Sequence, residues 1–321
     1  MRFGLDSHSA PSQDNYVAIK PRSPAPGPDL AALLPSWELH LRAERKTPPT
    51  VKTYGDGVRR FLAFCAADNR PAVLDRPTAT AFVVALLDDG AEPATARSRQ
   101  LALRRFSSWL TEEGELDTDP LLGLKPPKLD VKVVQPLTDD QLRALIKSCA
   151  GPTMRDRRDE ALVRLMLETG LRAGEVVSLT LPDLDLPAGT VLVRRGKGGR
   201  GRVVPIGPQA TRALDRYVRI RRTHRLADSD ALWVGDRGKG FRYDGLHAAL
   251  TARAAAAGIQ GFHPHLLRHT AAHRWLAAGG SEGGLMAVAG WTRPDMLLRY
   301  TRAMASERAA TEARSLHLGD L

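Results

Sequence analysis

Two arginines, a histidine, an indole and a late tyrosine stand at spacings that could do chemistry. The first box is Leu167-Glu-Thr-Gly170-Leu-Arg172-Ala-Gly-Glu175, the second His263-Pro-His265-Leu-Leu-Arg268-His269, the third Trp291-Thr-Arg-Pro-Asp-Met-Leu-Leu-Arg-Tyr300. Such a set suits attack on a phosphodiester without a metal. Planar guanidinium forks match the two free oxygens of the phosphate, and imidazole and indole supply hydrogen bonds. A phenol, with its pKa of about 10, becomes a nucleophile only where cations favour phenolate.

Each box also has a plainer alternative. Taken alone, Arg172 and Glu175 would be a surface ion pair one helical turn apart. His265, His269 and His273 share a helical face, which could suggest a metal site, but no acidic or cysteine cluster accompanies them and the pattern is not His-Glu-x-x-His. Gly196-Lys197-Gly-Gly-Arg200-Gly201 looks like a phosphate loop. It lacks the closing Gly-Lys-Ser/Thr and is followed by a strand pattern, so nucleotide binding is rejected and the segment reads as a hairpin turn. Lys239 lies in a second glycine-rich loop. Trp291 could simply be a buried aromatic. Among the other tyrosines, Tyr54 and Tyr217 sit on apolar helical stripes, Tyr16 lies in the N-terminal tail, and Tyr243 reads as a loop residue.

The elements that must position these groups divide in two. The chain has 321 residues and a formal charge of +11. Residues 1–130 hold 17 Lys+Arg against 17 Asp+Glu, so the remaining 30 against 19 place the whole excess in the second part. A basic domain beside a neutral one points to a polyanion, although arginine-rich, alanine-rich composition also follows from GC-rich coding. Cys65 and Cys149 are too few for a disulfide framework or a zinc site and read as buried free thiols. With no secretory h-region and no apolar run of membrane length, the chain reads as cytoplasmic.

Residues 1–28 are rich in Pro, Ser and Gly and read as a disordered tail. Residues 29–118 carry helical periodicity over 30–45, from a cap at Thr50 onward, over 78–87 and over 95–110, the last with Arg97, Arg99, Arg104 and Arg105 on its polar positions. Proline-rich 119–136 reads as a linker. From 137 to 321, Thr138-Asp-Asp-Gln141 opens a helix as a capping box, and a second helix covers about 155–170. A hairpin follows, with strands at Thr190–Arg195 and Arg202–Ile206. Further helices cover 208–226, 244–257, 265–279, 282–289, 294–303 and 306–316. The fold class is mainly α with a small β-hairpin or sheet.

In order and spacing the boxes resemble the tyrosine recombinase (phage integrase) family, over residues from about 29 to the C-terminus. The resemblance implies a helical core-type DNA-binding domain at 29–118, a catalytic domain at 137–321, and the two closing as a clamp around a duplex. It implies site-specific cleavage and rejoining of double-stranded DNA through a 3′-phosphotyrosine, with no cofactor, metal or ATP, by a tetramer on paired sites. On it, Arg172 and Arg268 clamp the scissile phosphate, His265 and Trp291 add hydrogen bonds, Lys197 on the hairpin protonates the leaving 5′-oxygen, and Tyr300 is the nucleophile. Glu175 and His269 support these groups from behind. Arg97, Arg99, Arg104, Arg105, Arg200 and Arg202 are expected on DNA. Trp291 departs from the commoner histidine, so proton exchange there must fall to His265 or Lys197. The same chemistry would serve a type IB topoisomerase, and a silent DNA-binding protein is the alternative from another class.

Overall fold

The computed structural model describes residues 27–129, 134–194, 201–236, 238–291, 293 and 297. It divides into one unit over Met1–Val131 and another over Lys132–Leu321. It is mostly helical, with one small sheet.

The first unit holds α1 (Leu30–Ala43), α2 (Pro48–Ala67), α3 (Arg76–Asp88) and α4 (Pro93–Glu112). The helix starts follow proline more closely than the periodicity suggests. Pro48 and Pro93 take the first helical position, where a missing N–H costs nothing. The cap of α2 is therefore Thr47 rather than Thr50, and α3 starts at Arg76 because Asp75 accepts from the Thr78 N–H at 2.7 Å. Aromatic rings fill the core: Trp37 lies 4.9 Å from Phe106, and Phe61 meets Phe82 edge-on at 5.6 Å. The segment expected to begin the linker packs on α4. Leu121 is fully buried, and Gln100 Nε2 donates to the Lys125 carbonyl at 3.1 Å.

The second unit opens with α5 (Asp139–Ser148), whose capping box joins Thr138 and Gln141, then α6 (Met154–Thr169). The short α7 (Ala173–Val177) and a 3-10 turn (Leu181–Asp183) lead into a sheet of β1 (Leu184–Asp185), β2 (Thr190–Val193) and β3 (Arg202–Pro205). The strands pair antiparallel in the order β1-β2-β3, with Val191 opposite Val204 and Val193 opposite Arg202. Val191, Val193 and Val204 enter the core, while Leu192 and Val203 face outward, the period-two alternation of a one-sided sheet. Among the described residues four more helices follow: α8 (Pro208–Arg221), α9 (Tyr243–Ala256), α10 (Pro264–Ala277) and α11 (Glu282–Ala289). Helix α8 ends at Arg221, short of the expected 226, and Tyr243 opens α9 instead of lying in a loop. Cys65 and Cys149 are buried free thiols in different units. No described helix is long and apolar enough to cross a membrane. The expected helices at 294–303 and 306–316 lie outside the described residues, Leu297 aside.

Arg221 explains how α8 stops and how α7 is supported. Its side chain is 1% exposed and donates to the carbonyls of Leu226, Ala227, Ser229, Ala231 and Leu232. Those bonds wrap the 222–232 loop around one guanidinium. The wrapped loop places Trp233, whose indole N–H donates to the Val176 carbonyl at 2.7 Å and satisfies the end of α7. Replacing Arg221 with Met should lower unfolding free energy by about 3 kcal/mol, because buried carbonyls lose their donors together. Urea unfolding measures this, and a change below about 1 kcal/mol would show that the loop is held by other means.

Candidate active site

Arg172 is the cap residue of α7, half-buried, with its guanidinium tied at two points. Nη1 donates to Glu175 Oε1 at 3.1 Å, and Nη2 to the Gly290 carbonyl at 3.3 Å. Its backbone N–H also donates to Glu175 Oε2 at 3.0 Å. Glu175 thus accepts one side-chain and one backbone bond from Arg172, three residues before it. Unforeseen is a second arginine on the same carboxylate: Arg202 of β3 donates from Nη1 to Oε1 at 3.1 Å and from Nη2 to Oε2 at 2.9 Å. Its Nε reaches the Val288 carbonyl in α11 at 3.0 Å. Arg202 was expected on DNA; the structure instead turns it inward, since a buried carboxylate demands a bidentate partner.

Glu175 is 6% exposed. Burial alone would raise its pKa. Hydrogen bonds from Arg202 and from the Arg172 N–H, with the charges of both guanidinium groups, outweigh that and hold it below the ordinary carboxylate value.

Arg268 lies on α10, buried, and donates from Nη1 to the Gly170 carbonyl. Gly170 caps α6 in the left-handed conformation (φ 60°), two residues before Arg172, so one turn of chain positions both arginines. The Arg268 guanidinium carbon stands 5.1 Å from the Trp291 ring centroid. Trp291 is buried with Ala272, Leu276, Leu285, Ala289 and Leu297, so it is both a packed aromatic and a neighbour of the site. His265 is exposed in the first turn of α10. Partial desolvation, then repulsion from Arg268, His263 and Arg172, lowers its pKa and favours neutral imidazole. His269, half-buried one turn on, is lowered to about 4, first by burial and then by His265, His263, His273 and Arg268. Among the described residues no group of His, Cys, Asp or Glu is placed to hold a metal ion.

The structure thus brings together Arg172, Glu175, His265, Arg268 and Trp291 from three separate boxes. Lys197, Arg200 and Tyr300 lie outside the described residues. In the first unit, Arg97 and Arg105 of α4 are exposed and Arg104 is half-buried, whereas Arg99 is turned to the Thr53 carbonyl of α2 at 3.2 Å. Lys239 is exposed, and its carbonyl accepts from the Gly235 N–H at 2.9 Å. Sequence reasoning missed Arg202 in its inward role, and it missed Gly290. The Ala-Gly-Trp291 step does carry the usual mark of a left-handed helix end, a glycine just past an apolar helix.

Comparison with known proteins adds an independent line. The model of the phage integrase family matches residues 135–307. A tyrosine recombinase XerC of Pseudomonas fluorescens is 32% identical over 244 residues, covering 74% of this chain and 80% of the relative. A second XerC, of Roseiflexus sp. (strain RS-1), is 30% identical over 293 residues, covering 86% and 93%. Among solved structures, the XerH site-specific recombinase bound to palindromic difH substrate in a post-cleavage complex aligns with a TM-score of 0.68 at 18% identity, over 88% of this chain and 84% of that one. A lambda integrase(75–356) dimer bound to a COC′ core site aligns at 0.65 and 16% identity, over 84% and 94%. At those identities the structures speak for the fold.

Two outcomes test the local geometry. Gly290 has φ 64°, and a Cβ there would lie 2.7 Å from the Arg202 guanidinium carbon. Gly290→Ala should therefore cost about 1–3 kcal/mol in urea unfolding, and a neutral result would mean Arg202 can move away freely. For pH, a histidine held neutral in the fold stabilises fully above its unfolded value of 6.5, and that contribution is lost as pH falls toward about 4. Stability should drop across that window by up to about 1.4 kcal/mol per pH unit from His269 alone. Unfolding at stepped pH should show a shallower slope in His269→Asn, and an unchanged slope would remove His269 as its source.

Proposed function

The chain belongs to the phage integrase family and is a tyrosine-type site-specific DNA recombinase, and from that premise we propose which groups cleave and rejoin the strand. Tyr300 attacks a DNA phosphorus, forming a 3′-phosphotyrosine bond and releasing the 5′-oxygen of the next nucleotide. His265 takes the phenolic proton and Lys197 protonates the departing oxygen, so each bond broken is matched by one formed. Reversal with a 5′-hydroxyl from the partner strand rejoins DNA, and the phosphotyrosine conserves bond energy without ATP.

The observation that carries this reading is a pair of anchored guanidinium groups: Arg268 on the carbonyl of Gly170, two residues before Arg172, and Arg172 on Glu175 and the Gly290 carbonyl. In this reading each meets one non-bridging oxygen of the phosphate, and such preorganised charge is worth most when it meets charge that develops in the transition state. The lowered pKa of His265 supports its role as proton acceptor at neutral pH. Trp291 cannot exchange a proton, so its part is a hydrogen bond and a wall for Arg268. Two other tyrosines serve poorly as nucleophiles. Tyr217 is fully buried with its phenol pushed up to about 12 by burial, and Tyr54 is stacked on Trp37 in the first unit.

Double-stranded DNA is the partner, and assembly on paired sites, as a tetramer, follows from a reaction that exchanges four strands. The lambda integrase and XerH neighbours are complexes with DNA, the former as a dimer. Arg97, Arg104 and Arg105 of α4 offer phosphate contacts from the first unit, and Arg200 from the hairpin.

A covalent-trap assay in EDTA on DNA flanking the gene tests the reading. Wild type should leave an SDS-stable, protease-sensitive adduct, Tyr300→Phe none, and Arg268→Ala about 100- to 1000-fold less, the usual loss for one charge-stabilising donor. An adduct with Tyr300→Phe would assign the wrong tyrosine. DNA binding without any adduct would favour a silent binding protein.

A further inference from the structure

We infer that Arg202 is a positioning residue for cleavage: by neutralising the buried Glu175 carboxylate it leaves the Arg172 guanidinium available to the scissile phosphate. The inference rests on the cleavage chemistry proposed above.

Glu175 carries a full negative charge inside the second unit and accepts four side-chain or backbone N–H bonds, two of them from Arg202. Arg172 gives the carboxylate one guanidinium bond at 3.1 Å, whereas Arg202 gives it a parallel pair at 3.1 and 2.9 Å. The division matters because Arg172 must face a phosphate, and a guanidinium fork locked onto a carboxylate is lost to that phosphate. A buried carboxylate needs compensation from somewhere. With Arg202 supplying most of it, Arg172 is restrained by one Nη1 bond and by the Gly290 carbonyl, and is not captured.

Arg202 is well suited to this task. Its side chain is 14% exposed, and strand pairing fixes its backbone opposite Val193. Its Nε is anchored on the Val288 carbonyl, and Gly290 leaves the guanidinium the room that any Cβ would take. Arg202 thus joins the strand that follows Lys197, the C-terminal turn of α11 and the Arg172 turn through a single guanidinium. Removing it would leave Glu175 with Arg172 as its only cationic partner among the described residues, and the fork would rotate onto the carboxylate.

The test compares Arg202→Met, Arg202→Lys and the double variant Glu175→Gln/Arg202→Met with wild type. Three readouts are taken for each: single-turnover adduct formation, DNA affinity and thermal unfolding. Arg202→Met should form adduct about 10- to 100-fold more slowly, the usual cost of losing a group that orients a reacting one. Its DNA affinity should stay within about threefold, because Arg202 contacts no phosphate in this reading. Arg202→Lys should fall between, keeping the charge without the fork. It also keeps the comparison informative if the Met variant folds poorly. The double variant should recover at least about tenfold over Arg202→Met, since a neutral amide no longer captures Arg172.

A merely structural arginine would give no such recovery, so a double variant as slow as Arg202→Met overturns the inference. So does a fall in DNA affinity parallel to the fall in rate, which would return Arg202 to the DNA surface. Adduct formation by wild type and Arg202→Met at equal rates would also sink it while leaving the cleavage reading intact. Failure of wild type itself to form an adduct would defeat that reading instead.

Discussion

One buried carboxylate, Glu175, lets three guanidinium groups coexist. Arg172, Arg202 and Arg268 converge on the Gly170–Arg172 turn and the end of α11, and three guanidinium groups that close repel one another. Glu175 offsets one of those charges in the absence of DNA. Among the described residues, three positive charges less one negative leave two, with His265 and His269 favoured neutral. A phosphodiester brings one negative charge, and its pentavalent transition state nearly two. On the proposed mechanism, in which Lys197 adds a further cation, this surplus of positive charge suits the transition state better than the substrate, which is the condition for catalysis rather than tight binding.

Helix ends finish what the carboxylate begins. Arg268 is held by the carbonyl of Gly170, the cap of α6, and Arg172 by the carbonyl of Gly290, the cap of α11. Both glycines are left-handed, so their carbonyls turn away from the helix they end and toward a side chain. The C-terminus of a helix carries about half a negative charge, enough to orient a cation without neutralising it. A further carboxylate in either place would take up charge that the proposed phosphate contact needs. The contrast with Arg202, bound bidentate to Glu175, separates the two kinds of arginine in this cluster.

Much of this was legible in the chain, and the limits have physical causes. Boxes such as Arg172–Glu175 and His265–Arg268 are readable because their members are a helical turn apart, where spacing fixes the face. Arg202 meets Glu175 across 27 residues and Val288 across 86, and no local pattern encodes such a pairing. Its position beside a basic hairpin made it look like a DNA contact. Arg99 shows the same limit: four arginines on one helix look like one surface until helical phase is counted, and Arg99, which donates to the Thr53 carbonyl, lies on the opposite side from Arg97 and Arg104. Helix starts shifted by a few residues because proline at the first position and an aspartate cap override the onset of apolar periodicity. The two-residue β1 is too short to show any period at all.

Trp291 shows why packing and a place beside the site need not be rival explanations. The indole is buried among Ala272, Leu276, Leu285, Ala289 and Leu297, which ties the end of α11 to α10 and to the segment leading to Tyr300. Its ring also bounds the space of the Arg268 guanidinium. A histidine in its place could pass a proton but would fill less of that cluster and would add a titratable group beside two arginines. An aromatic that cannot titrate keeps the charge of the site independent of pH at this position. On the proposed mechanism the proton traffic then rests on groups outside the apolar cluster: Lys197, and His265 at the head of α10, whose pKa is lowered by partial desolvation and then by Arg268, His263 and Arg172. Separating the rigid wall from the proposed proton carriers lets each be set by its own surroundings, the first by close packing and His265 by partial desolvation together with neighbouring charge.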